Sequence, residues 1–258
     1  VKRILITGIS GTLGTALGRH YRGLGWDVIG VSRRAALEQD GLCARVVANA
    51  QHGLADARAL LAEDPDVVIL NAAQIETAVG DGGLPLPDQT AEIYRINAVF
   101  PSLFALAAAE TRRERRLDVV AIGSIADGMP SSFGPVYHAS KIALHHFFTG
   151  TAPIVRERDP QLRLRLYRPG AIRGPLSWAP ALRLGERGLA WRRRRCERAP
   201  EPARVAAAIA RWIETDGVVG TWGEPLSFRA LKLLFALAPD AYARLQHVGW
   251  RRGSRFSR

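Results

Sequence analysis

The chain has 258 residues, 47% of them hydrophobic and 23% charged, a balance that excludes a disordered or low-complexity polypeptide. The formal charge of +12 resembles a nucleic-acid footprint, but residues 183–258 alone hold 16 of the 36 Lys+Arg against 7 of the 24 Asp+Glu, so no specific nucleic-acid binding is expected. Cys43 and Cys196 match no metal-ligand spacing and are too few for a disulfide framework, and no uncharged run reaches a membrane span, so a cytoplasmic protein without metal, export signal or transmembrane helix is expected.

From the N-terminus, Arg3 to Thr7 is a short apolar run ending in glycines, and Leu13 to Leu24 follows with helical apolar spacing, which reads as strand, turn, helix. Strand-like runs recur at Asp27 to Val31, Ala44 to Ala48, Val67 to Leu70, Val119 to Ile122 and Leu162 to Tyr167, with helices predicted near 54–62, 88–110 and 135–158. A seventh strand is predicted at Val218 to Trp222, after a helix opened by Pro200-Glu201-Pro202 and running through Ile213. Continuously apolar strands that alternate with helices imply the α/β class: a doubly wound, Rossmann-type parallel sheet of about seven strands with helices on both faces. No linker or repeat divides the chain, so residues 1–258 are expected to form a single Rossmann domain. It would carry a substrate lid over about 173–198 and a basic C-terminal tail over about 225–258. Residues 78–87, rich in Gly and Pro, read as a loop, and 169–200 as an irregular, mobile flap.

Between the first strand and the first helix lies Thr7-Gly8-Ile9-Ser10-Gly11-Thr12-Leu13-Gly14. Gly8 would permit the tight turn, Gly11 the close approach of backbone to a pyrophosphate, and Gly14 close helix packing, with Ser10, Thr12 and Leu13 completing the cradle. The helix N-terminus adds N–H donors and a favourable dipole for an anion. The second strand ends Gly30-Val31-Ser32-Arg33-Arg34, without the acid that would hold the ribose 2′-hydroxyl of NAD and repel a 2′-phosphate. Ser32 with the guanidiniums of Arg33 and Arg34 suits that phosphate, so the expected cofactor is NADP(H).

Beside the glycine turn, Tyr137-His138-Ala139-Ser140-Lys141 resembles the signature of the short-chain dehydrogenase/reductase family, with Ser124 of Ile122-Gly123-Ser124 as its upstream serine. The resemblance runs from the first strand to the helix after Pro202, with the motifs in the family's order. Residues i and i+4 of a helix share a face, so Tyr137 and Lys141 would both point at the cofactor cleft. A free tyrosine with a pKa near ~10 shuttles protons poorly at neutral pH, and a nearby ammonium favours its phenolate. Lys141 should therefore lower the Tyr137 pKa and, by the resemblance, hold the nicotinamide ribose. Ser124 would hydrogen-bond the substrate oxygen while Tyr137 gives or takes the proton. In a chain with lysine only at positions 2, 141 and 232, one lysine falls where a compact ammonium suits the chemistry.

The resemblance implies further roles. Asn97 would hold a water that links Lys141 to solvent, and Asn71-Ala72-Ala73 at the end of the fourth strand would pass near the adenosine ribose. Asn49 and Ala50 stand where the family contacts adenine, and Arg168-Pro169-Gly170-Ala171-Ile172 resembles its turn beside the nicotinamide, with Ile172 reaching the carboxamide through its backbone. The family commonly assembles through the equivalents of 88–110 and 135–158, implying a homodimer or homotetramer.

The pattern also departs from the family. The glycine spacing follows its extended, nucleotide-sugar-modifying branch, Gly174 stands where a threonine often binds the carboxamide, and Asn49 replaces the usual acid. Asp127, Met129, Pro130 and Phe133, with Leu176, Trp178, Leu182, Leu184 and Trp191, are expected to wall an apolar pocket for a bulky or hydrophobic carbonyl or alcohol substrate. Phe228, Leu231, Leu234, Phe235 and Ala238 at helical spacing beside arginines suit either packing on the domain or a peripheral membrane contact. His145 and His146 read as solvated or interfacial. The leading function is NADP(H)-dependent carbonyl reduction or alcohol oxidation. The alternatives are a nucleotide-sugar epimerase or dehydratase, and an NADP(H)-sensing binding protein without turnover.

Overall fold

The computed structural model describes residues 1–32, 45–48, 52–110 and 113–257. Seven strands, β1 (Arg3–Thr7), β2 (Asp27–Ser32), β3 (Arg45–Ala48), β4 (Val67–Leu70), β5 (Leu117–Ile122), β6 (Leu162–Pro169) and β7 (Val219–Trp222), form one parallel sheet in the order β3-β2-β1-β4-β5-β6-β7. The order reverses between β1 and β4, where ligands of open α/β sheets bind outside the strands' carboxyl ends.

The central strands are apolar on both faces because helices cover both. On one face, Leu5 of β1, Val68 of β4 and Val119 of β5 pack with Phe100 and Phe104 of α4 (Phe100–Ala108) and Leu144 and Phe148 of α5 (Pro135–Arg158). On the other, Ile4, Ile6 and Val120 pack with Leu17 and Tyr21 of α1 (Thr12–Gly23) and Val205 and Ile209 of α7 (Pro202–Ile213). The remaining helices are α2 (Leu54–Leu61), α3 (Pro87–Tyr94), α6 (Glu186–Glu197), α8 (Leu226–Leu237) and α9 (Pro239–Gly253). Prolines at the first turns of α3, α5 and α7 start those helices where a missing N–H costs nothing.

Two expectations need correction. The helix near 88–110 is α3 and α4 joined through a π-helical turn at Arg95–Val99, which holds the candidate residue Asn97. The stretch expected to be an irregular flap is a 3₁₀ segment at Pro175–Leu182 followed by α6. It is pinned by the buried Arg183, whose Nε donates to the Gly83 carbonyl at 2.8 Å and whose guanidinium lies 3.6 Å from the buried Glu76 carboxylate. The tail forms α8 and α9, and α9 is fixed to the loop after β5: the buried Tyr242 hydroxyl donates to the Pro130 carbonyl at 2.7 Å. None of the helices among the described residues is long and apolar enough to cross a membrane.

Candidate active site

A cleft of about 410 Å³ opens at the carboxyl ends of β1, β4, β5 and β6. At its floor, Gly8, Ser10, Gly11, Thr12 and Leu13 line the wall, while Gly14 lies behind them. A Cβ on Gly14 would sit 2.1 Å from the Gly8 carbonyl oxygen, so this helix can start only over a bare α-carbon. No side chain caps α1 and no acid occupies its first turn, leaving its N-terminal N–H groups suited to a phosphate. Asn71 ties the floor together, with Nδ2 donating to the Thr7 and Gly8 carbonyls at 3.0 and 3.2 Å, while the Ala72 N–H donates to the Thr7 hydroxyl at 3.0 Å. Ala72 and Ala73 line the same wall.

At the end of β2, the buried Ser32 hydroxyl donates to Ser10 at 3.1 Å and no carboxylate stands in that strand beyond Asp27 at its start. Arg33, Arg34, Asn49 and Ala50, the other residues expected to discriminate the cofactor, lie outside the described residues.

The catalytic candidates converge on the other side of the cleft. Ser124, two residues after β5, continues in extended backbone and caps the 3₁₀ turn Ile125–Gly128, accepting from the Ala126 N–H at 3.1 Å. Its hydroxyl lies near that of Tyr137, in the first turn of α5, close enough to draw the phenol's pKa down. Lys141, 2% exposed and one turn further on, lies with Nζ 5.8 Å from the Tyr137 ring centroid and donates to the Ile122 carbonyl at 2.8 Å. Pro169, Gly170 and Ile172 border the cleft beyond these groups.

Electrostatics revise one expectation. Burial pushes the Tyr137 phenol up, the Ser124 hydroxyl draws it down and the Asp127 charge pushes it up again; the outcome is a phenol above its ordinary value. Lys141 is itself desolvated: burial brings its pKa down from 10.5 to about 8, against the opposing Asp127 charge.

Asn97, 1% exposed, acts through backbone and a hydroxyl. Its Nδ2 donates to the Gln74 carbonyl at 2.8 Å and to Ser140 Oγ at 3.0 Å, and its Oδ1 accepts from the Gln74 N–H at 2.8 Å. Ser140 in turn donates to the Tyr137 carbonyl at 2.8 Å, so Asn97 joins the segment after β4 to the catalytic turn of α5.

The expected pocket walls are only partly there. Of the nine residues expected to wall an apolar pocket, Leu176 lines the cleft; Met129 and Pro130 line a separate groove against α9, and Phe133 packs at 5.6 Å from Trp250. Asp127 is fully buried because Arg168 and Lys232 neutralise it: both oxygens accept from Arg168 at 2.6 Å, Lys232 Nζ lies at 3.4 Å, and His145 Nδ1 is a further hydrogen-bond partner at 2.9 Å. His145 is thus an internal partner, not a solvated residue. Gln74, Ile75, His138, Arg195 and Phe228 line the cleft although the sequence does not place them at the site. His138 lies inside the conspicuous Tyr-x-x-x-Lys pattern, and its Nδ1 is 2.9 Å from the Met129 carbonyl. Among the described residues no cluster suits a metal ion.

A glycine cradle at the switch point of a doubly wound sheet, facing a Ser-Tyr-Lys constellation, defines a dinucleotide-dependent oxidoreductase. Residues 2–179 match the short chain dehydrogenase family, and the chain belongs to it. The fold is similar to that of a short-chain dehydrogenase from Streptomyces avermitilis, at 21% identity and a TM-score of 0.70, covering 98% of this chain and 96% of that one. It is also similar to BdcA, solved in complex with NADPH, at 20% identity and a TM-score of 0.64, covering 85% and 92% of the two chains. No curated protein sequence matches the chain.

Proposed function

We propose that this protein is an NADP(H)-dependent oxidoreductase that reduces a ketone or aldehyde, or oxidises the corresponding alcohol, with Tyr137 as general acid and base. The observation that carries the reading is the convergence of Ser124, Tyr137 and the buried Lys141 in one cleft with the glycine turn. The preference for NADP(H) rests on Ser32 and the absence of an acid at the end of β2, and agrees with the NADPH held by BdcA.

The uncapped start of α1 and the glycines at 8 and 11 would hold the pyrophosphate, Ser32 the ribose phosphate, Asn71 to Ala73 the adenosine side, and Pro169, Gly170 and Ile172 the nicotinamide end. When bound, the dinucleotide supplies or accepts the hydride. Ser124 and Tyr137 then hydrogen-bond the substrate oxygen and orient its carbon. In reduction, the oxygen gains negative charge and becomes a stronger base than the phenol, and Tyr137 releases its proton to it. The raised Tyr137 pKa keeps that proton in place beforehand. The Lys141 ammonium stabilises the phenolate left behind.

Tyr137→Phe should abolish carbonyl-dependent NADPH oxidation while NADPH binding, followed by its fluorescence, persists; a fully active variant would refute the assignment. Stoichiometric NADPH consumption with a carbonyl panel also separates this function from that of an epimerase or dehydratase, which would regenerate its cofactor. We further propose a homo-oligomer formed through α4 and α5, whose Leu106 and Ile154 are exposed; light scattering tests it.

A further inference from the structure

The cleft that holds Ser124 and Tyr137 carries charge of one sign. Its lining includes Arg173, Arg192 and Arg195 together with Lys141, and no aspartate or glutamate among the described residues. Arg173 is ion-paired with Glu201 and donates to the Glu197 carbonyl at 2.6 Å. Arg192 spends two donors on the Ser177 carbonyl, through Nε at 2.6 Å and through Nη2.

Arg195 is held differently. Its guanidinium carbon lies 5.2 Å from the ring centroid of Trp191, on the same helix α6, and 5.1 Å from that of Phe228 on α8. Among the described residues it has no carboxylate within ion-pair distance and no hydrogen bond. Aromatic contacts satisfy the faces of a guanidinium and leave its five in-plane N–H donors, a fork that matches a carboxylate or phosphate. The two rings come from separate elements, so the group is positioned before any ligand arrives. Its charge also bears on a neighbour: burial pushes Arg192 down, Cys196 opposes this, and the Arg195 cation adds a smaller downward push, a repulsion that an anion would relieve.

We propose that Arg195 binds an anionic oxygen group of the substrate, a carboxylate or phosphate carried at a distance from the carbonyl that Ser124 and Tyr137 hold. The inference rests on the reductase function proposed above and narrows its substrate class. The dinucleotide phosphates are the competing source of the same chemistry, but they already have donors in the start of α1 and in Ser32.

The test uses matched ketones that differ only in a terminal carboxylate or its methyl ester, across several spacer lengths, with the wild type, Arg195→Gln and Arg195→Lys. The ratio of kcat/KM for carboxylate over ester should fall about 10- to 100-fold in Arg195→Gln, the range of a lost charge-assisted hydrogen bond, and recover partly in Arg195→Lys. NADPH affinity, measured by fluorescence, should stay constant. An unchanged ratio overturns the proposal, and so does weakened NADPH binding with the ratio preserved, which would assign Arg195 to the cofactor. If no ketone is turned over, the reductase reading fails while the inference is still decided: in thermal-shift titrations with NADP⁺ present, an Arg195-dependent preference for the carboxylate supports it, and equal binding of acid and ester overturns it.

Discussion

Replacing Lys141 with methionine should make the stability of this protein depend on pH in a way that reports the cost of holding a buried ammonium. Lys141 is 2% exposed, and burial brings its pKa from 10.5 to about 8 despite the Asp127 charge. Between those values the unfolded chain keeps a proton that the folded chain has released, so stability rises with pH through that window. At ~1.36 kcal/mol per unit, a depression of about 2.5 units corresponds to about 3 kcal/mol. Urea unfolding followed by tryptophan fluorescence, without added cofactor, gives the stability of wild type and Lys141→Met from about pH 7 to pH 10.5. The difference, wild type minus variant, should climb by about 3 kcal/mol, since tyrosine titrations common to both proteins cancel. Near neutral pH the variant loses the hydrogen bond to the Ile122 carbonyl, a cost of about 1–3 kcal/mol, but also sheds the desolvated charge, so the two proteins should be nearly equally stable. A difference that stays flat across the range would refute the argument that Lys141 is a destabilised cation, and one that falls with pH would show that its partners outweigh its burial.

Asp127→Asn should cost about 3–5 kcal/mol in unfolding free energy, because it leaves the Arg168 guanidinium and the Lys232 ammonium without their shared partner. Burial pushes the Asp127 carboxyl up, but hydrogen bonds from His145 and Arg168 and the Arg168 charge prevail, and its pKa falls from 3.8 to about 2. Its stabilising contribution is therefore present above pH 3.8 and lost as pH falls through about 2; acid titration should cost the wild type about 2 kcal/mol that Asp127→Asn does not lose. Gly14→Ala, which would place a methyl 2.1 Å from the Gly8 carbonyl, should lower the melting temperature sharply and weaken NADPH binding, both measurable on one preparation.

Much of the fold is legible in the sequence, because a parallel sheet covered on both faces demands continuously apolar strands, and these stand out between helical segments. Pro135 and Pro202 mark helix starts where the structure has them. The positions of Ser124, Tyr137 and Lys141 were equally readable, since one strand end and one helical turn suffice to bring them together. Contacts between elements distant in sequence were not. Asp127 looked like a pocket wall because nothing local reveals that Arg168, His145 and Lys232 converge on it from β6, α5 and α8. Arg165 inside β6 is a similar case: a charge at 2% exposure is tolerated because it donates to the carbonyls of Trp212 and Ile213 at the end of α7 and of Thr215 and Gly217 just after it. The lid was misread for the same reason, its order depending on Arg183 reaching Glu76 and Gly83 about a hundred residues away in sequence.

These long-range contacts show how the C-terminal helices bear on the chemistry. Tyr137, Lys141 and His145 follow one another at intervals of one helical turn along α5, so they form a single stripe. That stripe meets the end of β5 at three places: Tyr137 at Ser124, Lys141 at the Ile122 carbonyl, and His145 at Asp127. Asp127 also receives Lys232 from α8, which is paired with Glu224 at 2.5 Å and covers Gly128. The turn bearing Ser124 is thus clamped between the catalytic helix and the C-terminal segment, and both of the chain's buried or half-buried lysine ammoniums sense the same carboxylate. The serine proposed to orient the substrate oxygen consequently owes its position to residues more than a hundred positions downstream, which explains why a short motif can point to the chemistry while the rigidity of the site depends on the whole chain.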